Sequence, residues 1–150
     1  SSVNSRIDRP SVAVYLDLVF DGASFGLNVD GSLAFQMPAF REEIRFVTLR
    51  RDGGDIRIES GALAAIEEGL EADYAACVLG LRDYVDKNRF PGVVLGMSGG
   101  IDSALCAAMA ADALGPERVQ AVMLPYRYTS EDSFKDAKDC ATALGIRYDI

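Results

Sequence analysis

Residues 93–103, VVLGMSGGIDS, are the stretch of this sequence that decides its fold. Residues 93–95 form a short, wholly apolar run, which is typical of a parallel β-strand covered on both faces. The glycine-rich turn that follows opens into an alanine-rich segment, Ser103 to Leu114, which predicts a helix. A buried strand, a tight turn and a helix in this order predict the beginning of a β-α-β unit.

The residues after this helix repeat the alternation of strand and helix. Val119 to Leu124 predicts a second buried strand, and Ile146 to Ile150 predicts the start of a third. Between them lies a predicted helix with Thr129 or Ser130 as its N-cap and Gly145 as its stop. The pattern therefore predicts an α/β fold with a parallel sheet. Because the series breaks off on a strand, we expect it to be truncated.

The first third of the chain favours β structure. Short apolar runs alternate with turn signals, of which Asp30-Gly31 and Asp52-Gly53-Gly54 are the clearest. The predicted strands span residues 12–16, 18–20, 24–29, 33–37 and 44–49. Closely spaced strands of this kind predict an antiparallel meander or a sheet edge, and no residue among them suggests catalysis.

A long amphipathic helix is predicted between the β-rich region and residue 93. Leu70, Tyr74, Cys77, Leu81 and Tyr84 recur at helical spacing, and Val78 and Val85 widen the stripe, which predicts that it faces the core. Residues 88–91, which include a proline, are expected to end the helix.

Composition excludes several classes of protein and of chemistry. The chain carries a formal net charge of −8, which lacks the electrostatic footprint of a nucleic-acid-binding protein. No apolar run reaches the roughly 18 residues that a membrane span needs. Histidine is absent, so the usual general base is missing. Cys77, Cys106 and Cys140 form no Cys-x-x-Cys pair, and we expect them to be small buried thiols in a reducing compartment.

The turn after residue 95 has the chemistry of a phosphate-binding loop. Gly99 and Gly100 allow phosphate oxygens to approach backbone N–H groups, and the helix N-terminus adds partial positive charge. Ser98 and Ser103 can donate hydroxyl hydrogen bonds to the same oxygens. Asp102 would repel a polyphosphate unless a cation lay between them, which indicates Mg²⁺. The alternative is an ordinary glycine-rich turn in which Asp102 or Ser103 caps the helix.

These six residues, Ser98 to Ser103, match the Ser-Gly-Gly-x-Asp-Ser signature of the N-type ATP pyrophosphatases, also called PP-loop enzymes. The resemblance implies an incomplete Rossmann-like sheet whose loop grips the pyrophosphate end of ATP. Asp102 would hold Mg²⁺ there. The implied ATP-binding residues in the loop are Gly96, Met97, Ser98, Gly99, Gly100, Ile101, Asp102 and Ser103.

Flanking segments resemble one branch of this family, the glutamine-dependent NAD synthetases. The resemblance lies in LRDYV at residues 81–85 and MLPYRYTS at residues 123–130, which implies ATP contacts by Arg127 and Ser130. The alternatives are a surface arginine and a helix cap. Residues 18–25, LVFDGASF, resemble the last strands of a nitrilase-like glutaminase domain. The implied division is a glutaminase tail (1–57), a connector with the amphipathic helix (58–90) and the start of the synthetase domain (91–150).

The resemblance also implies an activity and its partners. The parent protein would be a ligase that adenylates deamido-NAD with ATP and Mg²⁺ and then aminates it with ammonia from glutamine. A cytoplasmic homo-oligomer is expected, with neither nucleic acid nor membrane as a partner. The alternatives are another PP-loop amidotransferase, such as GMP synthetase, and a non-catalytic ATP-binding module. The resemblance implies that the glutaminase catalytic residues lie upstream, so none of the three cysteines is assigned as the glutaminase nucleophile. It also implies an internal fragment that is inactive alone.

Overall fold

The computed structural model describes residues 19–127 and 129–150. The predicted strand at residues 12–16 lies outside this range, and residues 19–20 belong to no strand. The elements, in chain order, are β1 (Phe25–Leu27), β2 (Leu33–Gln36), β3 (Leu49–Asp52), β4 (Asp55–Ile58), α1 (Leu70–Lys87), β5 (Val93–Gly96), α2 (Ile101–Leu114), a 3₁₀ turn (Pro116–Arg118), β6 (Val119–Val122), α3 (Glu131–Leu144) and β7 (Arg147–Asp149).

The first hairpin, β1–β2, is antiparallel and confirms the turn predicted at Asp30-Gly31. The Asp30 carboxylate accepts hydrogen bonds from the backbone N–H of Ser32 at 2.9 Å and from its hydroxyl at 2.6 Å. A carboxylate that bonds the backbone two residues ahead fixes the chain reversal locally. Beyond the hairpin, residues 61–64 run beside β2, since Gly61 N–H donates to Ala34 O at 2.7 Å. We call residues 19–64 the β-rich part.

The second hairpin lies later in the chain than the sequence predicts. The strand predicted at residues 44–49 is wrong, because residues 42–48 form no strand and β3 begins at Leu49. Gly53 and Gly54, with φ of 60° and 116°, turn the chain, so the paired strands immediately flank them. Ile44 and Phe46 are 87% and 95% exposed, so their apolar character does not mark a buried strand within the described residues.

The second half of the chain forms the predicted parallel sheet in the order β5-β6-β7. This confirms the α/β fold class. The buried cluster beneath α2 and α3 is built mainly from alanines, which let helices and sheet approach closely. The prediction that β5 is covered on both faces, however, is wrong. Val94 is 69% exposed because, within the described residues, β5 is an edge strand with helices on one face only.

Helix α1 packs through one side of the predicted stripe. Val85 is 1% exposed, and Val78 and Leu81 pack against the core cluster, as predicted. Leu70 is 85% exposed, and Cys77 and Tyr84 are also exposed, so the other side of the stripe points away from the core. Both sets recur at helical spacing, and only the position of α2 selects between them. The helix ends at Lys87, as predicted.

Polar contacts fix α1 against the C-terminal end of α2. Arg82 donates from Nε to Ala113 O at 2.8 Å and from a terminal guanidinium nitrogen to Asp112 O at 3.1 Å. These carbonyls belong to the last helical turn, which has no intrahelical partner for them. The Tyr74 hydroxyl donates to the Asp112 carboxylate at 2.7 Å. The helix that carries the phosphate loop is therefore held at its far end by α1.

Arg118 joins the start of β6 to the connection between α1 and β5. Its guanidinium donates to Pro91 O at 3.1 Å and to Phe90 O at 3.0 Å. It also forms an ion pair with the Asp86 carboxylate at 2.9 Å. Three contacts from one rigid, planar group hold β5 beside β6 before the loop begins.

We expect Tyr74→Phe to lower the free energy of unfolding by about 1 kcal/mol, because it removes the hydrogen bond to Asp112. That hydrogen bond, with burial and the Asp112 charge, raises the pKa of Tyr74 from 10.0 to about 12. The folded chain thus keeps a proton that the unfolded chain loses first. The extra free energy of unfolding of the wild type over Tyr74→Phe is therefore full below pH 10 and is lost as the pH rises through 12. Urea denaturation across this range measures it, with Tyr84→Phe as the exposed control.

Two of the three cysteines depart from the buried thiols that the sequence predicts. All three are free, but Cys77 and Cys106 are exposed and Cys140 is half-buried. Apolar residues next to a cysteine in the sequence do not predict its burial here, because Cys77 lies on the outward face of α1 and Cys106 on the outward face of α2. In the described part of the chain, no helix has both the length and the apolar character that a membrane span requires.

Candidate phosphate-binding site

The glycine-rich turn connects β5 to α2 and starts from a fixed point. Met97 is 2% exposed, and its backbone N–H donates to Val122 O of β6 at 2.9 Å. Ser98 then leaves the sheet at the carboxyl end of the parallel strands, where ligands of open α/β sheets bind. Gly100 is the N-cap of α2. The residues predicted to form the phosphate loop, Gly96 to Ser103, therefore lie together at one sheet edge.

A small network of hydroxyl hydrogen bonds shapes the loop. Ser103 Oγ donates to Gly100 O at 2.9 Å and accepts from Ser98 N–H at 3.2 Å. Ser98 Oγ lies 3.1 Å from Ser103 Oγ and accepts from Gly100 N–H at 3.3 Å. Both hydroxyls thus sit at the mouth of the loop next to the first N–H groups of α2. An oxyanion bound to this turn would replace these internal hydrogen bonds with bonds from the same N–H and hydroxyl donors.

Gly99 brings the loop against the beginning of α3. Its φ is +81°, and a Cβ atom there would lie only 2.5 Å from Ser133 O and 2.9 Å from Ser133 Cα. Only glycine fits both the left-handed backbone and the space. The first turns of α2 and α3 consequently meet at one loop. The sequence singles out Gly99 but not Ser133, because their contact depends on how α3 packs.

Ser130 caps α3. Its Oγ accepts a hydrogen bond from Ser133 N–H at 3.2 Å and lies 2.9 Å from Ser133 Oγ. This confirms the helix-cap alternative for Ser130, and its contact with ATP stays a prediction. Arg127 lies exposed in the turn after β6, and its ATP contact likewise stays a prediction.

Ser130→Ala is expected to lower the free energy of unfolding by about 1 kcal/mol, because α3 loses its N-cap acceptor. Ser130→Asp is the matched control, since a carboxylate can accept the same hydrogen bond and should retain most of the stability. Chemical denaturation of the three proteins compares them. Equal stability of all three would show that the cap contributes nothing.

A cavity of about 280 Å³ opens beside the loop at the ends of β5 and β6. Met97 and Met123, each 2% exposed, provide apolar lining, and Thr129 adds a hydroxyl. Thr129 Oγ1 accepts from Tyr126 N–H at 3.0 Å, which folds the segment after β6 back on itself. The lining residues are Gly96, Met97, Ser98, Val122, Met123, Leu124 and Thr129. The segment that resembles the NAD synthetases, residues 123–130, supplies Met123, Leu124 and Thr129 to this lining, whereas Arg127 and Ser130, which the resemblance singles out, are not among these residues.

Asp102 lies exposed in the first turn of α2. Among the described residues, no group of three or more His, Cys, Asp or Glu could hold a metal ion alone. Mg²⁺ usually keeps several waters and binds one or two carboxylates together with substrate phosphates. A single carboxylate beside a phosphate loop fits that requirement.

The geometry agrees with three independent comparisons. The family model described as NAD synthase matches residues 73–150, from α1 to the end of the chain. Glutamine-dependent NAD(+) synthetase from Rhodobacter capsulatus is 55% identical over 133 residues, which is 89% of this chain and 24% of that protein.

Two solved structures are similar to the described fold. Glutamine-dependent NAD+ synthetase from Acinetobacter baumannii, in complex with ADP, aligns over 89% of this chain and 25% of its own, with a TM-score of 0.81 and 46% identity. NH3-dependent NAD synthetase from Campylobacter jejuni, in complex with a nitrate ion, aligns over 55% of this chain and 36% of its own, with a TM-score of 0.51 and 31% identity.

The extent of these matches defines what they establish. The chain spans about a quarter of the length of the first curated relatives it matches. The family match covers more than half of the chain and includes α1, the phosphate loop, α2, α3 and the parallel sheet. The resemblance to the NAD synthetases, carried by residues 81–85 and 123–130, is thus confirmed, and the chain belongs to the NAD synthase family.

Proposed function

We propose that the loop from Gly96 to Ser103 binds the pyrophosphate end of ATP. The observation that carries this proposal is that the glycine-rich loop, the hydroxyls of Ser98 and Ser103 and the first turns of α2 and α3 lie together. Such an arrangement stabilises negative charge without a basic side chain. The Acinetobacter baumannii relative was solved with ADP, which supports a nucleotide as the ligand.

The cavity beside the loop would receive the adenosine part of ATP. Its apolar lining from Met97 and Met123 suits the faces of a base, and Thr129 supplies a polar contact. Arg127 and Ser130, in the segment that follows β6, would provide the further contacts predicted from the resemblance.

Asp102 would hold Mg²⁺ against the pyrophosphate, with water and phosphate oxygens completing the coordination. The metal would neutralise the charge that develops on the leaving group. The chain's own residues then have two tasks. The loop N–H groups hold the β- and γ-phosphates in line, and the hydroxyls of Ser98 and Ser103 orient the bridging oxygen. Neither task requires proton transfer, which is consistent with the absence of histidine.

The complete protein would convert deamido-NAD to NAD as a carbon–nitrogen ligase. A carboxylate oxygen of deamido-NAD attacks the α-phosphate of ATP, and the bond to pyrophosphate breaks. Ammonia then attacks the adenylated carbonyl carbon, AMP leaves, and the amide remains. Glutamine hydrolysis in the preceding domain would supply the ammonia.

The β-rich part would belong to the glutamine-using side of the protein. Glutamine-dependent relatives align over 89% of the chain, whereas the NH3-dependent structure aligns over only 55%. The difference fits a division into residues 1–57, 58–90 and 91–150. The N–H groups of Gly61 and Ala64 donate to carbonyls of β2, and Gln36 N–H of β2 donates to Ala62 O. These hydrogen bonds hold the first residues of the connector beside β2. A cytoplasmic location and a homo-oligomeric state are part of the same proposal.

The test is an assay of the complete protein for AMP and pyrophosphate release. Release that requires deamido-NAD, with glutamine or ammonia as nitrogen donor, would support the proposal. Dependence on xanthosine monophosphate would instead identify a GMP synthetase. Binding of ATP without pyrophosphate release, with either substrate, would identify a non-catalytic ATP-binding module.

A further inference from the structure

A groove of about 570 Å³ lies beside the second hairpin. We call it the arginine groove. Three arginines, Arg50, Arg51 and Arg57, are among its lining residues, and two of them form ion pairs, Arg50 with Glu59 and Arg57 with Asp30. The other polar residues that the argument uses are Asn28 and Ser32.

Two of these arginines face each other across the hairpin. Arg50 of β3 and Arg57 of β4 are direct partners in the antiparallel register, so their side chains leave the same face. Like charges at directly opposite positions destabilise a hairpin. One carboxylate contacts each arginine, since Arg50 pairs with Glu59 and Arg57 with Asp30.

The two ion pairs leave most of the guanidinium donors available to a ligand. A guanidinium has five N–H donors in a fixed planar fork. Arg50 uses its Nε toward Glu59, and Arg57 uses one terminal nitrogen toward Asp30. The side chains of Arg50 and Arg57 are 74% and 55% exposed, so the unused donors are accessible.

The wall opposite the arginines is held by hydrogen bonds. Asn28 Oδ1 accepts from Ile58 N–H at 2.9 Å, which ties the first hairpin to the second. Asn28 Nδ2 donates to Ser32 Oγ at 3.2 Å, and Ser32 in turn donates to Asp30. The Ser32 hydroxyl and N–H, with the charge of Arg57, lower the pKa of Asp30. Asp30 therefore stays ionised and keeps Arg57 in place at neutral pH.

We propose that the arginine groove binds a phosphate group, held between the guanidinium forks of Arg50 and Arg57. Two guanidinium groups that leave the same face of the hairpin can each form paired charge-assisted hydrogen bonds with phosphate oxygens. This site lies in the β-rich part, on elements separate from the phosphate loop, and goes beyond the proposed function. The phosphate belongs either to the free inorganic ion or to a phosphorylated metabolite.

Hydrogen–deuterium exchange of the complete protein tests this proposal at the groove itself. Inorganic phosphate should slow exchange in peptides covering residues 28–32 and 57–61. In the double variant Arg50→Gln/Arg57→Gln, the phosphate concentration needed for half of this protection should rise about tenfold or more. Lys138→Gln, an exposed charge removal on α3, should leave the protection unchanged. The single variant Arg50→Gln should also bind phosphate more weakly. It keeps the ion pair between Arg57 and Asp30, so a loss of protection in this variant cannot be caused by loss of that ion pair.

Glycerol 3-phosphate, used in parallel, distinguishes the two sources. Protection by inorganic phosphate alone identifies the free ion, and protection by both identifies a phosphate-bearing metabolite. The proposal is overturned if neither compound protects these peptides, or if the double variant is protected as strongly as the wild type. Because the readout is confined to the groove, either result is independent of ATP turnover.

Discussion

Replacing Gly99 with alanine is expected to lower the rate of ATP-dependent pyrophosphate release by about 100-fold or more. A Cβ atom at this position would lie 2.5 Å from Ser133 O, within the backbone of α3. Because neither backbone can move aside locally, the loop and the first turn of α3 must separate. The N–H groups that orient the pyrophosphate would then be displaced by a substantial part of an ångström.

The same substitution is expected to lower stability, for two reasons that can be distinguished. An alanine at φ +81° costs roughly 1–2 kcal/mol, and the overlap with Ser133 adds a further cost of about 1–3 kcal/mol. Gly53→Ala is the matched control, since Gly53 also has positive φ but a Cβ there meets nothing within 4 Å. Gly53→Ala should therefore lose stability from backbone strain alone and keep its activity.

Steady-state assays and urea denaturation of both variants measure these effects. Assays must be run where both variants remain folded, so that lost activity reports the displaced loop. If Gly99→Ala retains near-normal turnover, the close packing of the loop against α3 is irrelevant to catalysis.

Asp102→Asn is expected to lower Mg²⁺-dependent ATP turnover by about 100-fold or more, because a ligand charge worth several kcal/mol in the transition state is lost. The Mg²⁺ concentration for half-maximal activity should rise, since a neutral amide oxygen is a weaker ligand than a carboxylate. Asparagine has nearly the same shape, so the first turn of α2 keeps its packing.

Stability separates a metal-binding role from a helix-capping role for Asp102. Loss of a negative charge in the first helical turn costs only about 0.3–1 kcal/mol. Asp139→Asn, on the exposed side of α3, serves as a charge-matched control and should leave turnover unchanged. Unchanged turnover and Mg²⁺ dependence in Asp102→Asn would contradict the metal role and favour the helix-capping alternative.

Local patterns predicted the parallel half of the chain well. β5, α2, β6, α3 and β7 all lie close to their predicted positions, because their turns and caps are encoded by adjacent residues. Ser130 and Gly145 delimit α3 through hydrogen bonds made within the same helix. The glycine-rich turn between β5 and α2 was located for the same reason, since its glycines and hydroxyls act through neighbouring backbone, and its binding of phosphate stays a prediction.

Patterns failed where the outcome depended on a partner distant in sequence. Ile44 and Phe46 resemble strand residues, yet no described strand pairs with their segment. The predicted stripe on α1 included Leu70 and Cys77, which are exposed because α2 contacts the neighbouring face. Periodicity reports that a helix is amphipathic, but the buried side is chosen by what packs against it.

The sequence by itself determined the order of strands and helices in the parallel half and the glycine-rich turn between β5 and α2, because each depends on contacts within a few residues. Only the tertiary structure decided that Gly99 abuts Ser133, that Arg82 holds the end of α2 and that Arg50 and Arg57 face one groove. Each of these contacts joins residues from different elements. Their distances are set by how alanine-rich helices and short hairpins pack, which no local pattern records.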